Sequence, residues 1–295
     1  MPRIGRGRRK GSMGRIVGAL GKPNWGKRAY AVVVLCAITR IALPAQTFTT
    51  LVSFDATDGY WPYAGLVQAT NGYLYGTTYA GGANGLGTVF KITQSGTLTT
   101  LHSFDGTDGA NPYAGLVQAT NGDLYGTTYS GGANCSYPCG TVFKITPSGT
   151  LTTLYNFCSQ SGCTDGSYPR AGLAQGANGD LYGTTYAGGT NDSCYEFQGT
   201  VGCGTVFKIT PSGKLTMLYN FCSQSACTDG VLPAAGLVQA ANGDFYGTTQ
   251  LGGANCAMTP YCGTVFKITP SGTLTTLYNF CAQQYCTDGS YPNPA

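Results

Sequence analysis

The stretch "GLVQATNGDLYGTTYSGG" at 115–132, followed by "GTVFKITPSGTLTTLYNF" at 140–157, reads as four short runs of β-branched and aromatic residues separated by turn formers. The runs are "GLVQA" at 115–119, "DLYGTTY" at 123–129, "TVFKIT" at 141–146 and "TLTTLYNF" at 150–157. "TNG" joins the first two and "PSG" the last two. Asn-Gly tolerates positive φ, and Pro followed two residues later by Gly suits a tight turn. The stretch is therefore predicted to be a four-stranded antiparallel meander.

The same pattern recurs along the chain. "YGTT" begins at 75, 125, 182 and 246, "TVFKIT" begins at 88, 141, 205 and 264, and the Gly of "AGL" stands at 65, 115, 172 and 236. The units run over about 59–108, 109–165, 166–229 and 230–288. In 150–157, simple alternation places Leu151, Tyr155 and Phe157 on one face and Leu154 on the other. A meander with apolar groups on both faces needs a neighbour on either side. Four-stranded sheets repeated about every fifty residues and packed face to face describe the blades of a β-propeller. A β-solenoid fits less well, because its repeat is shorter and its strands parallel. No part of 46–295 sustains a 3.6-residue apolar period, so almost no helix is expected there.

The expected fold is thus all-β, a β-propeller of four complete units with partial units at both ends. "TFTTLVSF" at 47–54 matches the fourth strand of a unit whose first three strands do not precede it, and "DGSYPNPA" at 288–295 opens a fifth unit. The reading favours an incomplete ring in a piece of a longer chain over a four-bladed ring with a spare outer strand. Either way, 47–54 is expected to be an edge or badly placed strand, an aggregation liability.

These motifs resemble the GloVer tandem-repeat family of exported bacterial proteins, named "choice of anchor" because members end in different surface-attachment signals. The resemblance spans about 47–295. It implies a propeller-like fold and an exported or cell-surface location, and it brings no catalytic residue with it.

Length variation is confined to two connections. From "YGTT" to "TVF" there are 9, 12, 19 and 14 residues, and from the closing Phe of each unit to the next "TDG" there are 2, 6, 6 and 6. In an antiparallel blade these two connections leave from the same edge, so the variable loops are expected on one rim, the place where repeat proteins tend to present contacts. Neutral drift in solvated loops explains the same pattern.

All the cysteines beyond residue 46 fall in those loops, as Cys135/Cys139, Cys158/Cys163, Cys194/Cys203, Cys222/Cys227, Cys256/Cys262 and Cys281/Cys286. Gain in twos is what bonded partners predict. Pairing within each loop is favoured over cross-pairing such as Cys139 with Cys158, and an oxidising compartment follows. A four-cysteine zinc site is disfavoured by the unequal spacings and the lack of nearby His, so no metal is assigned.

The N-terminus has the layout of a secretory signal over 1–45: a basic region, the apolar run "AYAVVVLCAIT" at 29–39, and "RIALPAQ". Ten of the 16 basic residues lie in the first forty positions, and past residue 46 six basic residues face twelve acidic ones, a balance of −6. That balance argues against nucleic acid as a partner. Membrane association is expected only through the leader or an anchor outside this sequence.

Candidate chemistry is sparse. The only histidine, His102, stands where later units carry Tyr155, Tyr219 and Tyr278, so it reads as a packing position. Asp58, Asp108, Asp165 and Asp229 recur in "TDG" links, with Asp288 after them; they suit Ca²⁺ or a glycosidic bond, but Asp before Gly is foremost a turn feature. Asp123, Asp180 and Asp244 are replaced by Tyr73 in the first unit. Tyr79, Tyr129 and Tyr186 offer stacking surfaces for sugars if they line the variable rim, and core packing is their competing role. Two functions stand: a non-catalytic exported module that presents its disulfide-pinned face to a glycan or surface protein, with no cofactor, or a carbohydrate-active hydrolase or lyase using the link aspartates.

Overall fold

The computed structural model describes residues 48–133, 139–191, 194, 202–256 and 262–292. Its contacts divide the chain into Met1–Thr49 and Thr50–Ala295, and every sheet lies in the second unit. The first sheet comprises β1 Val67–Gln68, β2 Leu74–Thr78, β3 Thr88–Ile92 and β4 Leu98–Ser103; the second, β5 Val117–Gln118, β6 Leu124–Thr128, β7 Thr141–Ile145 and β8 Leu151–Asn156. The third comprises β9 Ala174–Gln175, β10 Leu181–Thr185, β11 Thr205–Ile209 and β12 Leu215–Asn220; the fourth, β13 Val238–Gln239, β14 Phe245–Thr249, β15 Thr264–Ile268 and β16 Leu274–Asn279. Each is an antiparallel meander whose spatial order is its chain order.

Among the described residues there is no α-helix. Three short 3-10 turns, Ser161–Cys163, Ser225–Cys227 and Gln284–Cys286, sit inside the cysteine-containing links.

One detail of the strand reading is corrected. Register slips between Val142 and Phe143, so that Phe143 faces Thr153 while Val142 faces Tyr155 and Leu154 is the extra residue of a β-bulge. The bulge resets the alternation. Leu151 therefore packs with Phe143 and Ile145 toward the first blade, whereas Leu154, Tyr155 and Phe157 pack toward the third. The same slip occurs in all four sheets.

Face-to-face burial holds the blades together. Between the first and second, Tyr75, Val89 and Phe104 meet Leu116, Leu124, Phe143 and Ile145. Between the second and third, Tyr125, Val142 and Phe157 meet Leu173, Leu181, Phe207 and Ile209, and an equivalent cluster containing Phe221 and Phe266 joins the third to the fourth. In each interface the Phe that ends one unit meets the Phe of the next unit's third strand edge to face: Phe104 with Phe143 at 5.3 Å, Phe157 with Phe207 at 5.3 Å, Phe221 with Phe266 at 5.2 Å.

The third-strand Phe also lies across the Gly of its own "YGTT". A methyl placed on Gly126 would stand 2.6 Å from Phe143 Cζ and 2.8 Å from Leu116 Cδ2. Polar groups stitch both rims. On the constant-turn side the Gln118, Gln175 and Gln239 side chains accept from Thr70, Thr120 and Ala177 N–H of the preceding blade. On the loop side, buried threonine pairs such as Thr128 and Thr141, 2.8 Å apart, join the second and third strands, and Thr141 donates to the Asp108 carbonyl.

Residues 48–54 form no strand among the described residues. They nevertheless occupy the place of a preceding blade's fourth strand: Phe54 meets Phe90 at 5.0 Å, as Phe104 meets Phe143, and the Leu51 carbonyl abuts Gly96 as that of Leu101 abuts Gly149. At the other end, Val238 is 68% and Leu277 49% exposed, so the outer face of the fourth blade is uncovered by described residues, in contrast to the three inner interfaces.

Gly126→Ala is expected to destabilise the protein by about 1–3 kcal/mol through overpacking, read as a lower urea midpoint. Adding Phe143→Leu should recover part of that loss, because both changes act on one contact.

Candidate functional site

The two variable connections meet on one rim. The residue after each "DG" pairs with the residue closing the "YGTT" run, as Tyr60 with Ala80, Ala110 with Ser130, Ser167 with Ala187 and Val231 with Leu251. The loop between second and third strands is also tied to the outgoing link, for Asn84, Asn191 and Asn255 donate to the carbonyls of Phe104, Phe221 and Phe280.

Five bridges lie in these loops: Cys158–Cys163, Cys194–Cys203, Cys222–Cys227, Cys256–Cys262 and Cys281–Cys286, each within one loop. Cys139 is disulfide-bonded too, and Cys135 lies outside the described residues. So many bridges belong to an oxidising environment. The sulfurs of Cys194, Cys203 and Cys222 lie within 4.8 Å of one another. All three are in bridges and so do not supply the thiolates that a zinc site requires.

The link aspartates are braces. Asp165 is fully buried and accepts from the Tyr155 hydroxyl at 2.8 Å, Ser159 Oγ at 2.7 Å and Ser159 N–H at 2.9 Å. Asp229 repeats this with Tyr219 and Ser223, and Asp288 accepts from Tyr278 at 2.6 Å. In the shorter link, His102 Nε2 takes the tyrosine's place, 2.6 Å from Asp108.

Asp55 and Asp105 cap their own loops: hydrogen bonds from the Thr57 and Thr107 side chains, then from backbone N–H groups, lower both carboxyls below their ordinary value. Asp58 and Asp108 accept from the N–H of Asp55 and Asp105. Asp123 and Asp244 stand near Lys144 and Lys267 at 3.9 and 3.5 Å, and where Tyr73 replaces them Lys91 lies 5.2 Å from its ring centre. The swap exchanges an ion pair for a cation–π contact.

A cavity of about 260 Å³ is lined by four equivalent inner segments: Tyr63 to Gly65, Tyr113 to Gly115, Arg170 to Gly172, and Ala234 with Gly236. Contributions from all four blades to one cavity place it on their common axis. Small residues make the convergence possible, since a methyl on Gly115 would be 3.0 Å from the Gly65 carbonyl. Hydrogen bonds then fix the inner segments, with Thr77 donating to the Ala114 carbonyl at 2.9 Å and Thr127 to that of Ala171 at 3.0 Å.

Two aromatic rings, Tyr63 and Tyr113, line one part of this cavity and pack against further rings. Trp61 and Tyr63 stack with centres 6.4 Å apart, and Tyr63 lies 5.3 Å from Tyr113 and 5.6 Å from Tyr79. Trp61 and Tyr63 are more than half exposed, and Tyr113 is 39% exposed. Of the stacking residues expected from the sequence, Tyr79 is half-buried behind Tyr63, whereas Tyr129 and Tyr186 are buried. Arg170 covers these two, its guanidinium 5.3 Å and 3.9 Å from their ring centres. Burial raises the Tyr186 hydroxyl, and Arg170 partly opposes that shift.

The sequence reading missed Tyr63, Tyr113 and Arg170. Their signal was the short stretch before "AG", which reads "YWPY", "ANPY", "SYPR" and "VLPA" across units whose strands are nearly copied.

Stacked meanders about a shared axial cavity define a β-propeller-type repeat protein. The chain belongs to the Gloeobacter/Verrucomicrobia repeat family, whose model matches residues 35–197. No curated protein matches it in sequence.

Among solved structures, a gluconolactonase from Xanthomonas campestris is 16% identical with a TM-score of 0.44, the match covering 72% of this chain and 60% of that one. The chain thus spans about three fifths of that protein's length. A PQQ-bound aldose sugar dehydrogenase from Streptomyces coelicolor is 15% identical with a TM-score of 0.44, covering 81% of this chain and 72% of its own. A Dyadobacter fermentans protein of unknown function is 13% identical, with a TM-score of 0.44 and coverage of 71% and 66%. Among the described residues no helix is long and apolar enough to cross a membrane.

Burial chiefly, with the neighbouring Asp165 and Asp229 adding to it, pushes the Tyr155 and Tyr219 hydroxyls up to about 12. A raised folded-state value favours the fold while the hydroxyl stays protonated. Stability is therefore expected to be intact below the ordinary tyrosine value of about 10 and to fall as pH rises through about 12. Urea unfolding at stepped pH checks this, and the fall should be shallower in the Tyr155→Phe/Tyr219→Phe variant.

Proposed function

We propose that the protein is an exported, non-catalytic propeller that binds carbohydrate at its axial cavity. The observation that carries this reading is the pair of exposed rings of Tyr63 and Tyr113 in the cavity wall, with the exposed Trp61 stacked on Tyr63, beside a lining that includes no carboxylate and no histidine. Such rings supply flat apolar area for the C–H faces of a sugar together with a polar edge. A hydrolytic role requires an acid and a base at one reacting bond. The link aspartates are instead tied to their own tyrosines, serines and backbone.

At about 260 Å³ the cavity is smaller than drug-sized ligand sites, which begin at ~300 Å³. It suits a chain end or a single sugar unit. Export is supported by the bridges in the loops and by the expected signal over 1–45, which lies outside the described residues.

Titration calorimetry against a panel of oligosaccharides checks the reading. Binding is expected to weaken at least about tenfold in Tyr63→Ala and Trp61→Ala, the scale of one lost anchor of about 1.4 kcal/mol, while Tyr155→Phe binds like the parent chain. Release of reducing ends that disappears in Asp108→Asn and Asp165→Asn would establish an enzyme instead.

A further inference from the structure

We infer that the two bridges of the third unit form a thiol-exchange couple. A dithiol that opens Cys222–Cys227 sets the Cys222 thiolate on the Cys194–Cys203 bridge, and the bond passes to Cys203–Cys222 with release of Cys194. The starting observation is a convergence of sulfurs. Cys194 and Cys203 belong to the loop between second and third strands, Cys222 and Cys227 to the outgoing link, yet the sulfurs of Cys194, Cys203 and Cys222 lie within 4.8 Å of one another. Among the described residues no other unit brings three cysteine sulfurs together in this way.

The backbone holds that juxtaposition without help from either bridge. Phe221 N–H donates to the Gly204 carbonyl at 3.0 Å, which puts Cys222 beside Cys203, and Leu232 N–H donates to the Cys203 carbonyl at 2.8 Å. On the other side of Cys222, the buried Asp229 accepts from Ser223 N–H at 2.9 Å and from Gln224 N–H at 3.4 Å. Opening Cys222–Cys227 therefore leaves the Cys222 backbone in place, with its sulfur in reach of its neighbours.

A second, independent observation singles out the bridge that opens. Cys222, Ala226 and Cys227 have φ of 59°, 55° and 52°. A ring closed over five residues thus holds three non-glycine residues in the left-handed region that L side chains disfavour. Neither Cys194 nor Cys203 lies in that region. Cys222 and Cys227 are half-buried, whereas Cys203 is buried. Strain relieved on opening and an accessible sulfur make Cys222–Cys227 the entry point. In the equivalent ring of the second unit the middle position is Gly162, where a φ of 69° costs little.

The exchange balances in two steps. The external dithiol gives two electrons and two protons to Cys222–Cys227 and itself becomes a disulfide. Cys222, as thiolate, then attacks Cys203 Sγ: the Cys203–Cys222 bond forms, the Cys194–Cys203 bond breaks, and Cys194 takes up the proton that Cys222 gave up. Cys194 is half-buried, so the leaving thiolate meets water, whereas attack at Cys194 would strand a thiolate on the enclosed Cys203. The product ties the two variable connections of the unit together covalently and leaves thiols at Cys194 and Cys227.

About one equivalent of dithiothreitol per chain, followed by acid quenching, alkylation and peptide mass spectrometry, tests this on the whole protein. The expected product is a Cys203–Cys222 bridged peptide with Cys194 and Cys227 alkylated, while Cys158–Cys163 and Cys281–Cys286 open only into alkylated pairs. Cys227→Ser should yield the same bridge and a free Cys194 with no reductant added. Circular dichroism checks the fold of that variant, and the experiment on the parent chain decides alone if it does not fold. Ala226→Gly is expected to lower the equilibrium constant for opening Cys222–Cys227 about fivefold, the scale of one relieved left-handed residue.

An alkylated Cys222 beside an intact Cys194–Cys203 bridge as the final product, in the parent chain or in Cys227→Ser, overturns the exchange. Preferential opening of Cys194–Cys203, or no response to Ala226→Gly, overturns Cys222–Cys227 as the entry point.

Discussion

The structure depends on one contact made repeatedly: the Phe that ends each unit reaches over the seam and meets the Phe of the next unit's third strand, which itself lies flat across a glycine. Phe104, Phe157 and Phe221 are each fully buried in this way. The contact needs both a ring and the missing side chain beside it. Gly126 is not in a left-handed conformation; its requirement is steric, since any Cβ there would collide with Phe143. Because the two faces of each sheet are apolar, no blade is satisfied alone, and the burial that defines a blade is the same burial that joins it to its neighbour.

That arrangement confines sequence variation to particular places. The blade interiors are copied almost letter for letter, because the same packing recurs at every seam. The inner segments are pressed together at the axis by glycine contacts and by threonine-to-carbonyl bonds, and the side chain before each Ala-Gly packs on neighbouring rings, as Tyr63 does on Tyr79 and Arg170 on Tyr129 and Tyr186. The four equivalent points thus differ in chemistry, as Tyr63, Tyr113, Arg170 and Ala234. The loops on the rim are more variable in length, but their cysteines, asparagines and aspartates are occupied in bracing the links.

Much of the fold was legible because turn chemistry and period-two patterning agree in every unit. "TNG" and "PSG" mark the constant turns, and the four runs they separate are the four strands of each sheet. The reading failed where geometry departs from the ideal pleat. Leu154 occupies a bulge that no residue type announces, and it moved Tyr155 and Phe157 to the face opposite Leu151. The predicted first strand, "GLVQA", shrinks to Val117–Gln118 because the residues before it serve the axis rather than the ladder. Tyr129 and Tyr186 are buried under Arg170, a contact between segments far apart in sequence, while the exposed rings at 63 and 113 arise only when the repeats converge.

The described bridges close over five to nine residues and never leave their own loop. Covalent bonding is therefore modular: a whole unit carries its oxidised pairs with it, and duplicating or deleting one strands no thiol in its neighbours. An architecture stapled from blade to blade would have frozen its number of units, whereas this one leaves the gene at liberty to grow or contract by one sheet at a time.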